Sequence, residues 1–205
     1  MQGRGSNVIL IGPMGSGKST VGWLLARFIG YGFVDMDEMI TQREKKSIED
    51  IFAAEGETIF RQMEARILKD LVGIRSHVVA TGGGTVVLDE NWDQLQSMGV
   101  IVWLNPPPEE IARRLLDKEQ ELAKRPLLAD VLTIKDPAAR HKLLSERISA
   151  IAGNRSQYYK KADFVVCDSF STPYATALLV KNLLNREKIL VSSSDHRFFD
   201  RWSVL

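Results

Sequence analysis

Residues 12–19 read Gly-Pro-Met-Gly-Ser-Gly-Lys-Ser, with Thr20 next, and no other stretch constrains the fold as tightly. The octet matches G-x-x-x-x-G-K-[ST], a loop whose backbone N–H groups wrap phosphate. Its setting agrees with that reading. Four apolar residues, Val8 to Ile11, precede it as a buried strand would, and an apolar stretch, Val21 to Leu25, follows. Glycine at 12, 15 and 17 lets the chain turn so that successive N–H groups converge on an anion. A helix starting near Lys18 adds the positive end of its dipole. Gly15, Ser16 and Gly17 are then expected to cradle phosphate, and Lys18 to reach the β- and γ-phosphates of a nucleotide. Ser19 is the expected Mg2+ ligand, and Thr20 offers a hydroxyl near the α-phosphate. The loop predicts a bound nucleotide but leaves the phosphoryl acceptor open.

The rest of the chain supplies a matching frame. Apolar runs at Val8–Ile11, Gly32–Val34, Val78–Ala80, Val100–Leu104 and Phe164–Val166 read as buried parallel strands. Amphipathic stretches at Thr20–Ile29, Ser47–Val72, Trp92–Ser97, Pro108–Lys118, Arg140–Lys161 and Pro173–Asn185 alternate with them. Alternation of this kind predicts an α/β fold, a doubly wound parallel five-stranded sheet flanked by helices. Such sheets bind ligands at the carboxyl ends of their strands. The charged segment 117–136 interrupts the alternation and is expected to be a mobile lid. Residues 1–187 read as a single domain. Residues 188–205 read as a tail, docked through Phe198, Phe199 and Trp202 or else disordered.

Composition narrows the function. The net charge of +1 gives no basic field for nucleic acid or a membrane surface. No apolar run approaches a membrane span, and the first residues lack the apolar core of a signal peptide. The single cysteine, Cys167, excludes an internal disulfide framework and suits a reducing compartment. A soluble, cytoplasmic, monomeric protein is expected. His77, His141 and His196 are scattered, with no metal-ligand spacing. Cys167, Trp92 and Trp103 read as packing residues.

Three further stretches carry polar groups suited to an acceptor. In Gly-Phe-Val-Asp-Met-Asp, Asp35 and Asp37 stand two apart at a strand end, so both are expected to face the phosphate loop. One acid there can hold the Mg2+ shell and the other can take a proton from an attacking hydroxyl. The plainer reading is that they cap the following helix. The stretch Ser47–Leu68 is helical in pattern on both sides of Gly56, with Arg61 and Glu64 three apart on one face. Read alone, Glu57, Arg61 and Glu64 are surface ion pairs of little energy. Gly82, Gly83 and Gly84 follow a buried strand and allow a close backbone approach.

Taken in order, these motifs resemble the shikimate kinase family: GPMGSGKST, FVDMD, IFAAEGETIFRQME, ATGGG, KRPLL and a late Arg-Tyr-Ala-Asp element, spanning roughly residues 7–168. The resemblance implies a nucleoside-monophosphate-kinase-like P-loop fold with a mobile lid. It implies transfer of the γ-phosphate of MgATP to the 3-hydroxyl of shikimate, in the pathway to chorismate and the aromatic amino acids. It casts Asp37 as the group that holds the acceptor hydroxyls and serves as base, and Asp35 as the acid of the Mg2+ shell. Arg61, oriented by Glu64, and Arg155 become carboxylate-binding arginines. Phe52 and Phe60 become the apolar wall under the ring, and Gly82–Gly84 the turn beside the substrate. Arg125 becomes the lid arginine over the phosphates.

One departure stands out. Ala162-Asp163 come one residue early after Arg155, so either Tyr158 or Tyr159 fills the family's tyrosine position. Arg113, Arg114 and Lys118 are all candidates for the adenine contact. Two other functional readings fit part of the pattern: a kinase of a related polyol acid, such as gluconate or an amino analogue of shikimate, and a non-catalytic nucleotide-binding relative.

Overall fold

The computed structural model describes residues 5–123, 125, 127–167 and 172–190. Five parallel strands form one sheet: β1 (Asn7–Ile11), β2 (Gly32–Asp35), β3 (His77–Ala80), β4 (Gly99–Leu104) and β5 (Phe164–Val166), in the order β2-β3-β1-β4-β5. Every residue of β1 is buried, as expected for a strand covered on both faces. The chain runs from β1 to the edge strand β2, returns to β3 between the two, then crosses to β4 and β5 on the other side. The switch point therefore lies at the carboxyl end of β1, where a ligand crevice is expected.

The helices are α1 (Lys18–Ile29), α2 (Met36–Glu44), α3 (Ile48–Leu71), α4 (Asp89–Met98), α5 (Pro108–Leu116), α6 (Glu119–Ala123), α7 (Pro137–Tyr159) and α8 (Pro173–Arg186). Their ends follow local chemistry. Ser47, Asp136 and Thr172 each accept a backbone N–H at the start of α3, α7 and α8, a cap worth about 1 kcal/mol. Pro137 and Pro173 begin two of these helices, where a missing N–H costs nothing.

The sheet separates two apolar clusters. One packs Ile9, Ile11, Val79 and Ile101 against α2, α3 and α4. The other packs Val8, Leu10, Val78 and Val102 against α1 and α8. A third, smaller cluster joins α5 and α7 through Ile111, Leu115, Leu144 and Ile148, and it takes in Leu122, Leu128 and Val131 from the segment expected to be a lid. That segment holds the short α6 and a 3-10 turn at Ala129–Thr133. Of the tail, Ile189 pairs its N–H with Leu184 O and packs on the second cluster. Phe198, Phe199, Trp202 and His196 lie outside the described residues.

Two expectations need correction. Cys167 is exposed, because β5 is an edge strand that ends at Val166 and leaves the next side chain outside the core. Asp35 and Asp37 do not sit on alternate positions of one strand. Strand β2 stops at Asp35, and Asp37 belongs to the first turn of α2.

Candidate active site

The phosphate loop crosses the carboxyl end of β1. Gly12, Gly15 and Gly17 have φ of 144°, 77° and 94°, values that a side chain would strain. Gly17 also precedes α1 without any side-chain cap, so the first N–H groups of the helix remain available to an anion. Lys18 is buried, and its Nζ donates to Gly12 O at 2.9 Å and Pro13 O at 3.0 Å. Burial lowers its pKa to about 8, against the opposing pull of Asp37 and Asp35. Ser16 Oγ is buried without a hydrogen-bond partner beside this loop. Ser19 and Thr20 are exposed at its rim.

Two cavities meet here. The larger, ≈ 1250 Å³, runs over Lys18, Ser19 and Thr20 towards Arg113, Arg114 and Lys118, so all three adenine candidates lie along it. Glu110, in the first turn of α5, accepts from Arg113 Nη2 at 2.8 Å and from Arg114 Nε at 2.7 Å. Those bonds, Arg113's first, hold its carboxylate well below the usual range. Sequence reasoning passed over Glu110, although an acid three and four residues before two arginines is a legible signal.

The smaller cavity, ≈ 330 Å³, is bounded by Phe52, Phe60, Arg61, Arg155 and the Gly82–Gly84 turn. Phe52 and Phe60 form a tilted pair with centroids 4.8 Å apart, an apolar wall. Met14, Asp37, Gly83 and Arg125 line both cavities, so the two open into each other at a carboxylate and a guanidinium.

The acids divide their work by position. Asp35 is buried and its Oδ1 accepts the N–H groups of Asp37 at 2.9 Å and Glu38 at 3.3 Å. The capping role thus belongs to Asp35, and it places Asp37 at the mouth of the cavity. Asp37 is open to the cleft but surrounded by protein elsewhere. That desolvation, with Asp35 and Glu64 nearby, raises its pKa to about 6.

The glycine turn approaches side chains as well as any ligand. A Cβ on Gly82 would fall within 3.0 Å of Glu64 Oε1, and one on Gly84 within 3.0 Å of the Arg61 guanidinium. The turn is therefore the seat of the Arg61–Glu64 pair. Arg61 Nη1 donates to Glu64 Oε2 at 2.5 Å, and Glu64 is fully buried. Thr85 Oγ1 donates to Glu64 Oε1 at 2.5 Å, and Asn91 Nδ2 holds Thr85 O at 2.9 Å. The residue pattern gave no hint of Thr85 or Asn91, because their task is to satisfy a buried carboxylate that only the fold creates.

Arg155 reaches the same turn from α7, far along the chain. Its Nη1 lies 3.7 Å from where a Gly83 Cβ would stand. Of the two candidate tyrosines, Tyr159 is the one at this turn. It is buried, donates to Gly83 O at 2.6 Å and stacks on Trp103 at 5.4 Å between centroids. Tyr158 is partly buried at the edge of the first cluster, under Lys161.

Known proteins resemble the chain as a whole. The shikimate kinase family profile matches residues 14–185. The chain belongs to the shikimate kinase family. Shikimate kinase from Synechococcus sp. (strain RCC307) is 48% identical over 145 residues, 70% of each chain. That of Gloeobacter violaceus is 43% identical over 160 residues, 78% of this chain and 82% of the other. The Acinetobacter baumannii shikimate kinase, solved in complex with shikimate, superposes with a TM-score of 0.76 at 29% identity, covering 89% of this chain and 94% of that one. The fold extends further, to a deoxyadenosine kinase from M. mycoides at 15% identity and a TM-score of 0.52. Membership makes the chain an ATP-using phosphotransferase, of a family that serves aromatic amino acid biosynthesis.

His77 and His141 bond backbone carbonyls. Among the described residues no group of three or more His, Cys, Asp or Glu could hold a metal unaided, and no helix is long and apolar enough to cross a membrane. A Mg2+ ion here fits the donors only if substrate phosphates and water complete its shell, its usual mode in phosphoryl transfer.

Proposed function

We propose that this protein phosphorylates shikimate at its 3-hydroxyl with ATP, and that the acceptor occupies the smaller cavity. The observation that carries this reading is the junction of the two cavities at Asp37 and Arg125. A phosphoryl group leaving the nucleotide side meets an acceptor hydroxyl there, between a base and a cation. Phosphoryl transfer asks mainly for that positioning and for charge stabilisation.

Each side chain then has a task. Gly15, Ser16, Gly17 and Thr20 hold the phosphates, and Lys18 leaves the loop carbonyls for the β- and γ-oxygens. Ser19 and, through water, Asp35 hold Mg2+, which supplies further charge neutralisation when bound. Asp37 orients the acceptor hydroxyls and takes the proton of the attacking one, for which a pKa near neutrality is suited. Arg61 and Arg155 fork the acceptor carboxylate, with Gly82, Gly83 and Gly84 closing beside the ring. Arg125, in segment 117–136, closes over the transferring group and excludes water that would hydrolyse ATP.

The test is ADP release with MgATP and shikimate, beside quinate, gluconate, an amino analogue of shikimate and nucleoside monophosphates. Shikimate-dependent turnover far above the rest is expected. Preference for another acceptor, or no acceptor-stimulated turnover, contradicts the proposal.

A further inference from the structure

The proposed carboxylate clamp carries a second acid that the proposed reaction does not use. Arg61 Nη2 donates to Glu57 Oε1 at 2.7 Å, and Arg155 Nη2 stands 4.0 Å from the same oxygen. One carboxylate oxygen thus faces both guanidinium groups. Its placement is imposed by the break in α3. Gly56 has φ 79° and ψ 175°, no residue with a side chain adopts this readily, and Glu57 opens the helical run that follows. From there Arg61 is one turn on, at i+4.

Glu57 and Glu64 differ in kind. Glu64 is fully buried, and its loss would leave Arg61 Nη1 and the Thr85 hydroxyl without their acceptor. Glu57 is 53% exposed. It stands in an outer cleft of ≈ 720 Å³, whose lining it shares with Arg61 and Arg155, and it does not line the acceptor cavity. The two arginines are thus a partition. The acceptor meets them from one side and Glu57 from the other.

We infer that Glu57 is an affinity-tuning residue that weakens the arginine pair for carboxylates. Its negative charge behind the guanidinium groups lowers the potential that an incoming carboxylate feels. It also quiets the repulsion between two cations held close in the free enzyme. An anion that offers only charge gains little from such a pair. One that also brings hydroxyls to Asp37 and a ring to Phe60 still binds. Glu57 thereby lowers the affinity of every carboxylate by a similar factor, and an acid that also engages Asp37 and Phe60 has affinity to spare. This rests on the reading of the smaller cavity as the acceptor site.

Glu57→Gln keeps the shape and the hydrogen-bond acceptor and removes only the charge, at an exposed position where folding is not at stake. Calorimetric titrations compare the variant with wild type for shikimate, shikimate carboxamide and benzoate, a carboxylate without hydroxyls. An exposed ion pair is worth about 0.2–1 kcal/mol, so shikimate and benzoate are each expected to bind about 1.4- to five-fold more tightly, with the carboxamide unchanged. A purely helix-stabilising Glu57 leaves all three affinities alone, and an Arg61-orienting Glu57 weakens shikimate. Either result overturns the inference, as does equal tightening of acid and amide. Failure of wild type to bind shikimate overturns the acceptor assignment instead.

Discussion

Gly84→Ala separates the two things a glycine turn can do, permit a backbone conformation or leave room for a neighbour. Gly84 has φ −110° and ψ −1°, which alanine adopts without strain. The added methyl, however, would fall within 3.0 Å of the Arg61 guanidinium, where carbon and nitrogen need roughly 3.5–4 Å. Arg61 must retreat by about 1 Å or more, and as the far end of a flexible side chain it can. Glu64 keeps the Thr85 hydroxyl throughout. The expected loss of stability is about 1–2 kcal/mol, or a Tm lower by roughly 2–8 °C for a chain of this size. The clamp suffers more. A 1 Å misplacement of a positioning group costs about 100-fold, close to 2.7 kcal/mol in the transition state. Coupled ADP-release kinetics should show kcat/KM for shikimate down about 100-fold, with affinity for a non-hydrolysable ATP analogue unchanged. Near-native kcat/KM in the folded variant would refute the claim that the turn seats Arg61.

Burial depresses the Lys18 pKa to about 8, and a bound phosphate would raise it again. Binding of the ATP analogue at about pH 8 should therefore take up a fraction of a proton, seen as a buffer-dependent calorimetric enthalpy, and Lys18→Ala should abolish both that uptake and turnover. Asp37→Asn should remove most turnover while leaving analogue binding within about three-fold, and wild-type kcat/KM should fall below about pH 6 as Asp37 protonates. Stability should move oppositely. A folded pKa above the unfolded 3.8 stabilises the protein below that value and is lost as pH rises through about 6. Thermal melts should accordingly find Asp37→Asn more stable than wild type at about pH 8 and level with it near pH 4.

The legible parts of this protein are those where local chemistry decides. The five strands and the principal helices follow from apolar period and caps, and the phosphate loop from glycines whose positive φ has few alternatives. The candidate site was harder to read because its logic is three-dimensional. Asp35 and Asp37 looked equivalent in the sequence, but strand β2 ends between them, so one caps a helix and the other faces the cleft. The glycine triplet signalled a close approach without saying to what. Glu64 and Arg61 arrive from α3, 18 to 23 residues earlier in the chain than that turn, and Thr85 and Asn91 gain a purpose only once Glu64 is buried. Cys167 misled because an apolar run says nothing of which strand lies at an edge.

Arg61 and Arg155 come from helices α3 and α7, and their convergence on one acceptor carboxylate is the central claim. Titrating shikimate and its carboxamide into wild type, Arg61→Ala and Arg155→Ala tests it directly. Removing one partner of a desolvated charge pair costs about 2–5 kcal/mol, roughly 30-fold to several thousand-fold in affinity. Wild type should strongly prefer the acid, and both variants should lose most of that preference while binding the carboxamide about as wild type does. Full retention of the preference in Arg155→Ala, with its loss in Arg61→Ala, would contradict a shared clamp and leave Arg155 as a support for Tyr159 and the glycine turn.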